Sequence, residues 1–134
     1  MLDLEGQEIG VAGWAVGASF AVLVAEEVFA SGCLLLISVT SSGQITPRGA
    51  PPDFILIDRA LRDEGTSHHY LPPSDWCAAP EHPLSGLDGP FEGDLRVLTG
   101  ATCTTDAPFR ETEAAISAAR ARGVLAVEME AAAL

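Results

Sequence analysis

The sequence predicts an α/β fold built on a largely central sheet. Three observations lead there: apolar runs of strand length, stretches with helical apolar spacing between them, and Gly, Pro and Ser/Thr breaks at the junctions. The end of the chain concentrates the pattern. Residues 125–127 form a short apolar run that leads straight into Glu128-Met129-Glu130 and an alanine-rich helix start. In open α/β sheets the ends of strands are where ligands sit.

Taken in order, residues 8–13 read as a short strand ending in glycine, and Gly10, Gly13 and Gly17 bracket a turn. The spacing is not G-x-G-x-x-G, so the glycines are assigned to the turn and not to a dinucleotide. Residues 18–31 carry apolar side chains at helical spacing and stop at Gly32. Residues 33–39 (CLLLISV) are continuously apolar, as expected for a strand covered on both faces. With the preceding strand and helix they make a βαβ unit, whose crossover is expected to be right-handed. Thr40-Ser-Ser-Gly-Gln44 follows, and two readings stand: a nest of N–H groups for an anion, or an ordinary polar loop.

Residues 46–53 carry three prolines and a glycine and are expected to form a surface loop. Residues 54–61 are the next predicted strand, and residues 62–73 a polar loop in which His68 and His69 are solvated or structural. Proline and glycine in residues 74–93 argue against a long helix there. Residues 94–101 return to strand, and residues 103–110 are read as the loop at its end, with Asp106 as a turn or capping residue. Thr112 caps a helix over residues 113–122 that Gly123 stops. For the terminal corner two readings again stand. Glu128 and Glu130 can favour a helix N-terminus by charge with Met129 as core, or one carboxylate can grip neighbouring hydroxyls with the thioether on an apolar face, as a ribose presents them.

The totals narrow the function. A length of 134 residues fits a single domain, residues 1–134, and 48% hydrophobic residues exclude a disordered chain. Seven basic against 19 acidic residues give a net charge of −12, which disfavours nucleic acid as a partner. The most apolar stretch, residues 20–39, is interrupted by Glu26 and Glu27, and the N-terminus has no basic region before an apolar block. A soluble cytoplasmic protein without membrane contact is expected. Cys33, Cys77 and Cys103 form no C-x-x-C pair and His68, His69 and His82 complete no metal spacing, so reduced thiols and no metal are expected.

With these pieces in order the chain resembles the nucleoside phosphorylase family, which holds purine nucleoside and uridine phosphorylases and related nucleosidases. The likeness rests on Ile37-Ser-Val-Thr-Ser-Ser-Gly43, on Arg62-Asp-Glu-Gly-Thr-Ser-His-His-Tyr-Leu-Pro-Pro-Ser74, and on Thr104-Thr-Asp-Ala-Pro-Phe-Arg-Glu-Thr112 paired with Val127-Glu-Met-Glu-Ala-Ala-Ala-Leu134. The resemblance implies a three-layer sandwich with a mixed, largely parallel sheet flanked by helices. It also implies cleavage of the N-glycosidic bond of a purine or pyrimidine nucleoside by phosphate, giving free base and ribose 1-phosphate. On that likeness Glu130 would accept hydrogen bonds from the ribose hydroxyls, Met129 would pack on the sugar, and Glu128 would support the corner. Ser41 and Gly43 would cradle phosphate, and Cys103 with Thr104 would face the base. The implied partners are a nucleoside and phosphate in a homo-oligomer, with inorganic phosphate as co-substrate and no cofactor.

The departures from the family pattern point elsewhere. Ser38 stands where the family carries an arginine for phosphate, and a serine cannot make that bidentate pair. Cys103 offers a thiol in place of a ring, and the expected N-terminal glycine and arginine contacts are absent. The later strand with its acid for the departing base, and the long closing helix, are not found before Leu134. The family domain is nearly twice as long, so the chain resembles a member truncated at both ends. A hydrolytic or non-catalytic nucleoside binder, or a fragment of a longer enzyme, is the alternative expectation.

Overall fold

A computed structural model describes residues 2–49, 54–80 and 95–134. It opens on an antiparallel hairpin, β1 (Leu2–Leu4) and β2 (Gln7–Ile9), paired from Leu2↔Ile9 to Leu4↔Gln7. Glu5 and Gly6 turn it with φ of 52° and 84°, the geometry that suits a two-residue loop. The strand predicted over residues 8–13 therefore ends at Ile9, and residues 10–16 form no regular element.

Helix α1 (Ala18–Ala30) forms where predicted. It buries Ala18, Ala21, Val22 and Ala25, an i, i+3, i+4, i+7 stripe. Gly32 leaves it at φ 98°, a conformation open to glycine.

The strand predicted at residues 33–39 does not form. Leu34, Ile37 and Val39 are 97%, 77% and 87% exposed. An apolar run becomes a buried strand only with a ladder partner and cover on both faces. The sheet edge beside the C-terminal strand is taken instead by β3 (Gly43–Gln44). The expected βαβ unit is thus absent among the described residues.

The main sheet has the order β3-β7-β6-β4-β5. Its centre is parallel: β4 (Phe54–Asp63) pairs with β6 (Val97–Thr105), and β6 with β7 (Val124–Glu128). Antiparallel edges close it on both sides, β3 against β7 and β5 (Trp76–Ala78) against β4. The sheet is therefore mixed, with a parallel core three strands wide. Two loop expectations are corrected here. β4 runs on through Arg62 and Asp63, and β6 runs on through Cys103, Thr104 and Thr105, because each is laddered to a neighbour over those residues. Threonine suits such half-buried strand positions. His82 and most of the stretch 74–93 lie outside the described residues.

Helix α2 (Glu113–Ala121) starts at Thr112, whose Oγ1 accepts from Ala115 N–H at 3.2 Å. It ends before Gly123 at φ 81°. Its Ala119 and Ile116 pack on Ile45, Cys103, Val124 and Val127, with Leu61 and Trp76 beside them. The Arg120 guanidinium donates to the Ile45 carbonyl at 3.0 and 2.9 Å, pinning β3 beneath the helix. The helix predicted to open at Glu130 is a single turn closed by Ala133 N–H donating to Glu130 O at 3.0 Å. Among the described residues no helix is long and apolar enough to cross a membrane.

Candidate functional site

The three parallel strands end at one edge of the sheet. The register Asp63↔Thr105 and Thr104↔Glu128 brings the ends of β4, β6 and β7 together. Because β3 runs antiparallel with Gly43↔Val127, the residues before Gly43 lie alongside the end of β7. Ser41 thus approaches the Glu128-Met129-Glu130 corner through strand register, although it is exposed. Gly43 fits closely there: a Cβ on it would sit 3.0 Å from Val127 Cγ1. The run of strand ends is the place where open α/β sheets present ligands.

Glu128 is 3% exposed and fully engaged. Its Oε1 accepts from Thr102 Oγ1 at 3.1 Å and Thr104 Oγ1 at 2.6 Å. Its Oε2 accepts from Glu130 N–H and Ala131 N–H, both at 2.7 Å. An ionised carboxylate has about four acceptor sites, and protein donors occupy them here. Glu128 therefore fixes the corner and leaves little for a ligand.

Glu130 is differently placed. It is 4% exposed, with Oε1 accepting from Gly17 N–H at 2.7 Å and Oε2 from Met129 N–H at 3.3 Å. Each oxygen holds one N–H and keeps a lone pair. Among the described residues no arginine pairs with it; the ion pair found there joins Arg122 to Asp75. Met129 between the two acids is half-buried.

The residues singled out for the base separate across the sheet. Side chains alternate along a strand, so Thr102 and Thr104 turn to Glu128 while Cys103 and Thr105 turn to α2. Thr104 is fully buried, donating to Glu128 and accepting from Ala132 N–H at 2.9 Å. Cys103 instead lines a cavity of about 90 Å³ with Ile45, Asp63, Thr105, Ile116 and Val127. Burial, reinforced by the charges of Asp63, Glu128 and Glu111, pushes its thiol up to about 11. It is a neutral, unreactive wall at neutral pH. Glu128, Glu130, Ser41 and Gly43 do not line that cavity.

The loop after β4 is locked from within. Arg62 donates through Nε to Ser67 Oγ at 2.7 Å and through Nη1 to Pro72 O at 2.8 Å. Glu64 accepts from Ser67 Oγ, from Ser67 N–H at 3.0 Å and from Thr66 N–H at 2.5 Å. Asp106 Oδ2 accepts from Gly65 N–H at 2.9 Å, tying the β4 and β6 loops together. Arg62, Glu64 and Ser67 are buried in this work, while His68 and His69 stay exposed on a 3₁₀ turn, Ser67–His69.

Sequence reasoning missed Gly17 and Thr102 as members of this edge. Gly17 gave a turn signal without a partner, and Thr102 becomes legible only once β6 is registered on β7.

Among the described residues, two helices and a mixed five-stranded sheet, with paired acids at the strand ends, make an α/β fold. The sequence signature of the phosphorylase superfamily matches residues 2–134, and the chain belongs to that superfamily. Among solved structures it is similar to uridine phosphorylase from Vibrio fischeri ES114, at 23% identity and a TM-score of 0.72 over 89% of this chain. It is also similar to S-adenosylhomocysteine nucleosidase from Streptococcus pyogenes, at 24% identity and a TM-score of 0.57 over 88% of this chain. The chain spans about half the length of these proteins, 51% and 54%. No curated protein matches the sequence.

Proposed function

We propose that the strand-end edge binds the ribose of a nucleoside, and that the chain serves cleavage of its N-glycosidic bond by phosphate. The observation that carries this reading is Glu130: a buried carboxylate at the end of β7 held by two N–H groups, with acceptor capacity left on both oxygens. A 2′,3′-diol is the ligand that such a pair of lone pairs fits. Met129 packs on the sugar and Glu128 holds the corner, while Ser41 and Gly43 cradle phosphate. Thr104 belongs with the support of Glu128, and Cys103, turned to α2 on the other face of the sheet, is not assigned to the base.

In the reaction the C1′–N bond breaks with its electron pair leaving on the base, and a phosphate oxygen forms the new C1′–O bond. Positive charge builds on the ribose ring in the transition state, and a carboxylate on the diol stabilises it. The base takes up a proton as it departs. In this reading the chain acts as one domain in a cytoplasmic homo-oligomer, its sheet the middle of a three-layer sandwich. Membership of the phosphorylase superfamily supports a nucleoside as the substrate class, and the fold shared with a uridine phosphorylase and a nucleosidase is consistent with it.

One observation favours a second reading. Ser38 is exposed in a stretch without a single cation from residue 33 to 44, so phosphate finds no bidentate partner there. Water as acceptor, or binding without turnover, follows from that. The test is base release from inosine, adenosine and uridine, with and without phosphate, followed by chromatography. Release that requires phosphate supports the phosphorylase, and release without it the nucleosidase. Absence of release from a folded sample contradicts catalysis by this chain.

A further inference from the structure

Helix α1 carries no acid in its first turn and no side-chain cap at Gly17. Its N-terminal N–H groups therefore lack the partner that a helix start ordinarily has in its own sequence. Glu130 supplies it from 113 residues away, through the 2.7 Å hydrogen bond from Gly17 N–H to Oε1. The bond is reciprocal in value. A buried carboxylate without a cation needs hydrogen-bond donors, and the start of α1, a helix of 13 residues, supplies one.

The geometry at Gly17 is specific. Its φ of 89° and ψ of 145° fall where side-chain-bearing residues rarely go, although a Cβ there would meet no atom within 4 Å. The glycine is thus required by backbone conformation and not by space. That conformation aims the N–H at Glu130. A γ-like turn just upstream, with Val16 N–H donating to Trp14 O at 2.9 Å, brings the chain into the helix.

We propose that the Gly17 N–H is a positioning group for ribose recognition: it fixes one oxygen of Glu130 so that the carboxylate is preset to receive the diol. The inference rests on the ribose reading of Glu130. It adds that the N-terminus of α1, remote in sequence, sets the ribose specificity of the β7 corner. Glu130 touches the sugar; Gly17 acts through it.

The test removes the donor without changing the backbone freedom. A synthetic segment 1–32 carrying glycolic acid at position 17, an ester in place of the amide, is ligated to a chain beginning at Cys33. A matching ester at Gly13, whose N–H makes no hydrogen bond among the described residues, is the control. The readouts are hydrogen exchange of the Gly17 amide in the unaltered chain, and the affinity ratio of a ribonucleoside to its 2′-deoxy counterpart.

The expected results are a Gly17 amide protected in the unaltered chain and exposed in Glu130→Ala. The ester at 17 is expected to lower the ribose preference roughly tenfold to a hundredfold, the worth of a hydrogen bond to a charged group. The ester at 13 leaves it unchanged. A preference that survives the ester at 17, or an unprotected Gly17 amide in the unaltered chain, overturns the positioning role alone. A folded chain with a protected Gly17 amide but no nucleoside affinity overturns the ribose reading, and the positioning role with it.

Discussion

Thr104 and Glu128 meet at 2.6 Å across the β6–β7 ladder, both almost wholly buried, and the hydroxyl simultaneously accepts from Ala132 N–H. The pair welds the end of the sheet to the turn that carries Glu130. Replacing Glu128 with alanine leaves two main-chain N–H groups and two hydroxyls without an acceptor. Unfolding in urea is expected to show a loss of about 3 kcal/mol or more, with Glu128→Gln losing roughly half as much because its carbonyl still serves the N–H pair.

Thr112 is the N-cap of α2, and α2 covers the core around Cys103 and Val124. Thr112→Ala is expected to cost about 1 kcal/mol in thermal or urea unfolding, and Thr112→Ser to restore most of it. An unchanged midpoint for the alanine variant would show that the cap is redundant.

The Cys103 thiol, raised from 9.0 to about 11 by burial, makes stability depend on pH in the alkaline range. Between those values the unfolded chain has lost the proton while the folded chain keeps it. Stability from this group is therefore complete below pH 9 and declines as pH rises toward 11, by on the order of 2 kcal/mol. Cys103→Ala is expected to flatten that decline, read from urea midpoints at pH 8 and pH 10.5. Iodoacetamide should label the half-buried Cys33 well before Cys103 in the native protein.

Two guanidinium groups lie over the Trp76 ring, with Arg59 Cζ at 4.7 Å and Arg122 Cζ at 5.0 Å from its centre. Arg122 also pairs with Asp75 at 2.9 Å, but that ion pair is largely solvated. Arg122→Ala is expected to cost only about 0.5–1 kcal/mol, since exposed pairs and exposed cation–π contacts are each weak. A larger loss would mean that the arginine stem is packing on the ring in place of solvent.

How far the sequence foretold this molecule follows from what each element needs. Helices α1 and α2 were legible because their apolar spacing and their stops, Gly32 and Gly123, are local signals. The strands β4, β6 and β7 were legible as apolar runs, but their ends were not. Arg62 and Cys103 read as loop residues, and only the ladder to a neighbouring strand extends β4 and β6 over them. The error at residues 33–39 has the same origin in reverse: CLLLISV has every local mark of a buried strand and finds no partner edge. At the candidate site, the acids at positions 128 and 130 were legible as a corner. The family resemblance gave them different roles, Glu128 as support and Glu130 toward the ribose. The hydrogen bonds behind those roles were not legible, because they come from Thr102, Thr104 and Gly17, far away in sequence.

The central claim is that Glu130 receives the ribose diol, and titration calorimetry tests it most directly. Uridine, inosine and adenosine are titrated into the unaltered chain and into Glu130→Ala, in phosphate buffer, with circular dichroism confirming that both are folded. The account predicts that at least one nucleoside binds the unaltered chain and that the variant binds it roughly tenfold to a hundredfold more weakly. The 2′,3′-dideoxy form is expected to show no such difference between the two proteins. Equal affinity of both proteins for the ribonucleoside, or no affinity in a folded unaltered chain, would contradict it.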